Sequence, residues 1–256
     1  MDTLTGSGAL FAAFSFAAGA CLGSFFNVLI YRLPRGESIG RPASRCPSCG
    51  RAIRPRENIP IAGFFLLRGR CAGCGARISG RYPIVEALSG AGFALFAVLD
   101  GPGIPLLRDL VFFSLVVPIT FIDLDHRIIP DELSLGGLAA GILLSFLPGG
   151  DWKGSLLGGL LGGGILFATA YLYEKATGRE GMGGGDIKLI AMIGAFLGWK
   201  GALLSIFAGS LLGVAAGVIA MRKGDEGLKT AIPFGPCLCA AALLARFLAE
   251  PFFSFL

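Results

Sequence analysis

Long apolar runs limit the fold of this chain more than any other feature, because many of them are long enough to cross a lipid bilayer, which takes roughly 17–25 residues. Hydrophobic residues make up 54% of the 256 residues and charged residues only 15%, whereas a soluble domain carries about a quarter charged residues. Inside a bilayer, backbone N–H and C=O groups find no water and are satisfied by helix hydrogen bonds. We therefore predict an all-α polytopic membrane protein.

Eight runs can be assigned as transmembrane helices. The sixth is short, so we expect it to be tilted or partly re-entrant. Asp2 is the only early charge, so the first run lacks a basic leader and is expected to be a retained helix with its N-terminus outside. The chain then divides into a first helix (1–30), a hydrophilic insert (31–82) and a seven-helix membrane domain (83–256). The predicted spans are 8–30, 83–99, 106–122, 133–147, 155–172, 187–199, 202–221 and 231–248.

The basic residues fix the orientation of these spans. Eleven of the 22 Lys and Arg residues lie between Arg32 and Arg81, against two acids, Glu37 and Glu57. Such a block beside a span is typical of the cytoplasmic side and of contact with anionic lipid, so we expect no nucleic-acid partner. With the insert inside, eight spans put 18 basic residues inside and 4 outside.

Four cysteines in the insert predict a structural zinc site. Two Cys-x-x-Cys pairs, each followed by a glycine suited to a tight turn, can supply a tetrahedron of thiolates. A closed site of this kind leaves no position for substrate, so its expected role is to fold a small insert with little core of its own. Cys21, Cys237 and Cys239 lie in spans and are expected to be packing residues. The predicted ligands are Cys46, Cys49, Cys71 and Cys74.

Two acids from distant segments are the candidates for catalysis. Asp123 ends the third span and Asp186 begins the sixth, so the charge count puts both at the cytoplasmic face. Two carboxylates a few ångströms apart share a proton, and one can activate water while the other protonates a scissile carbonyl. The glycines before Asp186 are expected to let a substrate backbone approach closely. These are Gly183, Gly184 and Gly185.

The helix dipoles suggest a division of labour within the pair. Asp186 lies at a helix N-terminus and is expected to be the ionised base, whereas Asp123 lies at a helix C-terminus and is expected to be the protonated acid. Asp125 remains the main rival of Asp123. Asp131 follows a proline and is expected to cap a helix, and His126 is expected to be a polar loop residue rather than a base.

Several motifs together resemble the type IV prepilin peptidases, GxGD-type aspartic proteases of the bacterial inner membrane. The resemblance covers nearly the whole chain and includes both aspartate motifs and the paired cysteines. Its remaining motifs are Gly23-Ser24-Phe25-Phe26-Asn27-Val28-Leu29-Ile30-Tyr31-Arg32-Leu33-Pro34, Glu57-Asn58-Ile59-Pro60, Arg81-Tyr82-Pro83-Ile84-Val85-Glu86 and Ile232-Pro233-Phe234-Gly235-Pro236.

The resemblance implies cleavage of prepilin or pseudopilin leaders on the cytoplasmic side, followed by methylation of the new N-terminus with S-adenosylmethionine. The second activity has no support from a nucleotide-binding glycine fingerprint, and the zinc-bearing insert is the expected place for it. Two alternatives are a proton-coupled transporter, in which membrane acids relay protons, and a non-enzymatic assembly subunit that docks through the insert. A transporter explains neither the shared face of the two acids nor the insert.

Overall fold

A computed structural model describes residues 6–179, 181–222 and 233–254, and these residues contain helices and no strand. The predicted all-helical fold is confirmed. Two short 3-10 helices, Leu33–Arg35 and Pro55–Glu57, lie in the insert region. The α-helices are α1 (Gly6–Arg32), α2 (Ala62–Leu66), α3 (Arg81–Asp100), α4 (Ile104–His126), α5 (Asp131–Ser145), α6 (Trp152–Thr177), α7 (Gly184–Arg222) and α8 (Gly235–Ser254).

Six helices in the described part of the chain are long and apolar enough to cross a membrane. The other predicted spans are accounted for by α5, which has only 15 residues, and by α7, which contains both the sixth and the seventh predicted spans. A straight helix of 39 residues would be about 58 Å long, roughly twice the thickness of a bilayer core. Gly198 interrupts α7 with φ 70° and ψ −177°, a conformation open to glycine, and divides it into two arms. Residues 231–232 of the eighth predicted span lie outside the described residues.

The chain separates into two compact units, Met1–Pro118 and Ile119–Leu256, with the boundary inside α4. In the first unit α1 and α3 pack antiparallel. A Cβ on Gly23 would lie 2.8 Å from the Cα of Glu86, and Asn27 Nδ2 donates to the Tyr82 carbonyl at 3.2 Å. The C-terminal end of α1 therefore lies beside the N-terminal end of α3, at the two ends of the insert.

In the second unit, glycines let α6 and the first arm of α7 approach closely. A Cβ on Gly158 would overlap the carbonyl oxygen of Gly194, and one on Gly163 would lie 3.1 Å from the Cβ of Ala191. The predicted role of these glycines in helix packing is therefore confirmed at these positions, although Gly164 has nothing within 4 Å. Ser155 Oγ adds a bond to the Ala195 carbonyl at 2.7 Å.

The helices of the second unit alternate in direction, as the span count predicted. Lys188 Nζ, near the start of α7, bonds to Asp131 at the start of α5 at 2.6 Å. At the far end of the bundle, Lys200 Nζ bonds to Glu250 of α8 at 2.9 Å. One end of the unit therefore collects the C-terminus of α4 and the N-termini of α5, α7 and α8.

Candidate active site and metal centre

Asp123 lies in the last turn of α4 and is only 5% exposed. The helix ends three residues later, where Arg127 takes a positive φ of 56° and turns the chain towards α5. The Asp123 Oδ2 atom accepts a hydrogen bond from the backbone N–H of Gly235 at 3.0 Å. Gly235 is the first residue of α8, so this N–H is one of those a helix leaves unpaired at its N-terminus. A buried carboxylate is thereby held by a helix that begins 112 residues further along the chain.

Asp186 is the third residue of α7 and is partly exposed. The structure brings it to the same place as Asp123, and the two carboxylates interact electrostatically. The side chain of Ile129 lies beside the helix ends that carry or contact both acids. A Cβ on Gly185 would lie 3.0 Å from the Cβ of Ile129, and a Cβ on Gly235 would lie 3.3 Å from the Cδ1 of the same side chain. The end of α4 and the starts of α7 and α8 therefore converge on one site.

The neighbouring acids are placed differently. Asp125 and His126 are exposed at the end of α4, and His126 is the last helical residue rather than a loop residue. The expectation that Asp131 caps a helix is wrong, because Pro130 occupies the cap position of α5 without a side-chain bond. Both carboxylate oxygens of Asp131 instead accept from Lys188 Nζ, at 2.6 and 2.8 Å. This ion pair ties the start of α5 to the first turn of α7, two residues after Asp186.

The three glycines before Asp186 have distinct surroundings. Gly185 packs against Ile129, as described above, whereas a Cβ on Gly184 would meet nothing within 4 Å. Gly183 and Gly184 are both exposed, and a Cβ on Gly183 would lie 3.7 Å from Oδ2 of Asp186. The surface beside the Asp186 carboxylate is therefore bare backbone.

The four predicted zinc ligands converge in the first unit. The Sγ atoms of Cys46, Cys49, Cys71 and Cys74 all lie within 4.8 Å of one another, and those of Cys46 and Cys74 are 3.9 Å apart. A tetrahedral zinc with Zn–S bonds of about 2.3 Å requires sulfurs about 3.8 Å apart. The donor set and its spacing therefore fit a Zn²⁺ ion.

The two cysteine pairs have the same local architecture. In each, the first cysteine N–H donates at 2.9 Å to the carbonyl five residues on, and its carbonyl accepts at 2.9 Å from the glycine N–H four residues on. Gly50 and Gly75 both have φ of 71°, as the predicted tight turns require. The backbone N–H groups of Cys74 and Gly73 point at the Cys71 sulfur and lower the pKa of that thiol to about 6. Those of Cys49 and Ser48 likewise lower the pKa of Cys46, which favours the thiolate form that binds metal. At Cys74 the bond from the Ala76 N–H is outweighed by the neighbouring Cys49 thiol and by burial, which raise the pKa to about 11.

Three residues of the two units were given no role by the sequence, and the first two of them belong to these sites. Gly235 occurs in a motif of the last span, but its N–H could be matched to Asp123 only once α8 was placed. Lys188 was counted only as a topological charge. Glu86 was noted only as part of a motif, although a carboxylate inside a predicted span is a signal of function in itself.

The chain is similar to known proteins over most of its length. The family model described as "Bacterial Peptidase A24 N-terminal domain" matches residues 17–99, and the one described as "Type IV leader peptidase family" matches residues 110–218. A protein of Myxococcus xanthus (strain DK1622) named "Prepilin leader peptidase/N-methyltransferase" is 43% identical over 87% of this chain and 67% of its own length. A protein of Pseudomonas putida with the same name is 34% identical over 93% of this chain and 90% of its own length. No solved structure matches the chain significantly.

Proposed function

Because the chain belongs to the type IV leader peptidase family, we propose that Asp123 and Asp186 form the carboxylate pair of a membrane peptidase. Its substrates are type IV prepilins or pseudopilins, whose leaders it removes. The observation that carries this assignment is the convergence of one buried and one partly exposed acid at the end of a helical bundle. The transporter and assembly-subunit alternatives are not favoured by the names of the relatives.

The pair performs hydrolysis as a unit that shares one proton. The ionised carboxylate takes a proton from a water molecule, and the water oxygen attacks the scissile carbonyl carbon. The protonated carboxyl gives its proton to the carbonyl oxygen. When the intermediate collapses, the C–N bond breaks and the leaving amine takes up a proton. One water is consumed, and the leader leaves with a new carboxylate.

The hydrogen bond from Gly235 favours Asp123 as the ionised acid of the pair. This reverses the expectation from helix dipoles, which made Asp186 the ionised base and Asp123 the protonated acid. A hydrogen bond to a charged group contributes about 1.5–3 kcal/mol, whereas a helix dipole contributes about 0.3–1 kcal/mol at most surface sites. Asp186 benefits from the α7 dipole, but its carboxylate accepts no hydrogen bond from the described residues. Asp123 is therefore the base and Asp186 the acid. Carboxyl NMR in which Asp186 ionises first would overturn this assignment.

The exposed glycines beside Asp186 supply the surface along which the substrate backbone approaches. Without side chains, Gly183 and Gly184 allow an extended peptide to lie against the site. The site faces the cytoplasm of a protein that crosses the bacterial inner membrane several times, and the excess of basic residues on that side supports this orientation.

The thiolates of Cys46, Cys49, Cys71 and Cys74 hold a structural Zn²⁺. Four protein ligands close the coordination shell, so this ion stabilises the insert and takes no part in hydrolysis. The insert needs such a centre because the region between Gly36 and Gly80 contains only one short 3-10 helix and the five-residue α2.

The second activity is N-methylation of the new N-terminus after cleavage. S-adenosylmethionine, when bound, supplies an electrophilic methyl group to the pilin amine. The methyltransferase activity in the names of the relatives supports this proposal.

A single experiment tests the carboxylate pair. We expect Asp123→Asn and Asp186→Asn each to reduce leader cleavage by at least about 10³-fold, because an asparagine side chain cannot take or give the proton that the two carboxylates share. Asp125→Asn is the matched control two residues away and should stay within about threefold of wild type, as expected for an exposed surface acid. The measurement is mass spectrometry of a co-expressed prepilin, which reports cleavage and N-methylation together. Full cleavage by either Asn variant would contradict the proposal.

A further inference from the structure

The insert carries a short helix, α2, whose outer face is apolar and exposed. Phe65 and Leu66 are 67% and 73% exposed, whereas Phe64 of the same helix is half-buried. On the inner side, Gly63 packs so closely that a Cβ would overlap the Glu57 carbonyl oxygen. One face of α2 is therefore held against the protein, and the other presents two large apolar side chains outwards.

The start of α2 is tied to both long helices of the first unit. The backbone N–H of Ile61 donates to Oε2 of Glu86, in the second turn of α3, at 2.7 Å. The Glu86 carboxylate also accepts a hydrogen bond from the side chain of Ser24 in α1, and a Cβ on Gly23 would lie 2.8 Å from the Glu86 Cα. Because Glu86 is only 8% exposed, this link lies within packed helices, and α2 is held beside α1 and α3.

This link fixes the depth of α2 relative to the bilayer. The 20 residues of α3 form about 30 Å of helix, which is the thickness of the hydrocarbon core. Glu86 lies about 8 Å along the axis from the start of α3 at Arg81, and Gly23 lies about 14 Å before the end of α1 at Arg32. Both helices therefore place Ile61 inside their own ends, at the depth where headgroups meet acyl chains.

Basic side chains follow the apolar face of α2. The chain turns back directly after the helix, through a bond from the Gly69 N–H to the Phe64 carbonyl at 2.8 Å. The turn carries Arg68 and Arg70, which are both exposed, and no acid of the described residues pairs with either side chain. Exposed apolar residues bordered by arginines are typical of segments that lie in the interface of a bilayer with anionic lipids.

We propose that α2 is an interfacial anchor. Phe65 and Leu66 insert among the acyl chains of the adjacent leaflet, and Arg68 and Arg70 bind the phosphate groups of anionic lipids. The face binds a lipid surface rather than a protein, because the link to Glu86 holds it at a depth where lipid surrounds the helices and because its arginines complement anionic headgroups. The insert is thereby attached to the bilayer at a third point, besides its two ends in α1 and α3.

Fluorescence quenching in the full chain measures the depth of α2. Phe65→Trp is combined with Trp152→Phe and Trp199→Phe, which remove both natural tryptophans, and single chains are reconstituted in nanodiscs of phosphatidylcholine with about a third phosphatidylglycerol. We expect lipids brominated in the upper acyl chain to remove at least about half of the emission, because interfacial helices reach about 5–10 Å into the boundary of headgroups and acyl chains. Ala52→Trp, at an exposed position beside the first cysteine pair, is the matched reference and should be quenched by aqueous acrylamide instead.

The double variant Arg68→Gln and Arg70→Gln tests the contribution of charge. In discs with phosphatidylglycerol it should lower the ratio of inserted to free α2 by about 5- to 30-fold, since each basic residue near an anionic surface contributes about fivefold. In discs of phosphatidylcholine alone the same substitutions should change that ratio by less than about twofold. Equal effects in the two lipids would contradict the binding of anionic headgroups by these arginines.

Zinc content is measured on each variant, so that a misfolded insert is recognised, and Leu66→Trp replaces Phe65→Trp if the latter has lost its zinc. Absence of quenching by brominated lipid at the α2 position overturns the inference. Equal quenching of the Ala52→Trp variant also overturns it, because α2 would then not be the segment that inserts. Shielding from acrylamide that appears only when a second copy of the chain or a prepilin is added would assign this face to a protein and overturn the inference as well.

Discussion

The two sites of this protein are built in opposite ways. The metal centre joins two short stretches, Cys46–Gly50 and Cys71–Gly75, whose internal hydrogen bonds are the same within each stretch. The carboxylate pair joins single residues from α4 and α7, and one of them depends on a donor from α8. Local hydrogen bonds therefore shape the first site, and helix packing shapes the second.

This difference determines which substitutions each site tolerates. Each cysteine pair has its geometry set by its own turn. The insert around the two pairs has little core, so the stability of the insert depends on the metal. The carboxylate pair keeps its helices without any ligand, since α6 and α7 are packed through Gly158 and Gly194. Its geometry, however, changes with any shift of the three helix ends. Loss of one ligand should therefore disrupt the insert as a whole, whereas small volume changes should disrupt the pair selectively.

Removal of one thiolate is expected to have the largest effect. Cys71→Ser should weaken zinc binding by about 100-fold or more, because four thiolates together contribute about 10–16 kcal/mol in small zinc modules. We expect the insert to become sensitive to protease and the ratio of methylation to cleavage to fall. Zinc is measured by mass spectrometry of the metal, and the cleavage sites by peptide mapping.

Cys21→Ser is the control for this variant, since Cys21 is exposed on α1 and lies outside the cluster. It should bind zinc as the wild type does. Retention of a full zinc equivalent by Cys71→Ser would mean that the site is not a four-thiolate centre, and the contrast between the two sites would disappear.

The metal centre could be predicted from the sequence because its information is local. The Cys-x-x-Cys spacing predicted all four ligands, and the glycine after each pair predicted a tight turn. The φ values of Gly50 and Gly75 confirm these turns. Hydropathy likewise placed the helices, because span length is imposed by the bilayer. The sixth and seventh predicted spans correspond to the two arms of α7, and the position of the break, at Gly198, lies within a few residues of the predicted boundary.

The environment of the aspartates could not be predicted in the same way. Charge counting placed Asp123 and Asp186 at one end, and they do lie together in the second unit. The donation from Gly235 was not visible, because it joins residues 112 positions apart through packing that no periodicity records. The dipoles of α4 and α7 alone therefore predict the protonation states of Asp123 and Asp186 without the strongest local interaction, which is the hydrogen bond from Gly235 to Asp123.

A single methyl group at the N-terminus of α8 should disturb the carboxylate pair and leave the metal centre intact. In Gly235→Ala the new Cβ would lie 2.6 Å from Oδ2 of Asp123, so the carboxylate must move. We expect kcat for leader cleavage to fall about 10- to 100-fold, as for misplacement of a catalytic group by about 1 Å, with zinc content unchanged. Gly136→Ala on α5, where a Cβ meets nothing within 4 Å, should leave kcat within about twofold, as expected for a change in helix propensity alone. Equal kcat values for the two variants would show that the Gly235 contact does not position Asp123.

The smallest effect is expected at Gly184, where the folded protein has space for an added side chain. A Cβ there meets no atom within 4 Å, and alanine in the first turn of α7 should if anything stabilise the helix, by up to about 1 kcal/mol. Only a molecule that approaches from outside would meet the new methyl group. We therefore expect Gly184→Ala to raise KM for a prepilin about three- to tenfold, the size of a lost or crowded contact of about 1 kcal/mol, with little change in kcat. Steady-state cleavage of a fluorogenic prepilin peptide separates the two constants, with Gly136→Ala as the reference. An unchanged KM would show that the substrate backbone does not pass over Gly184.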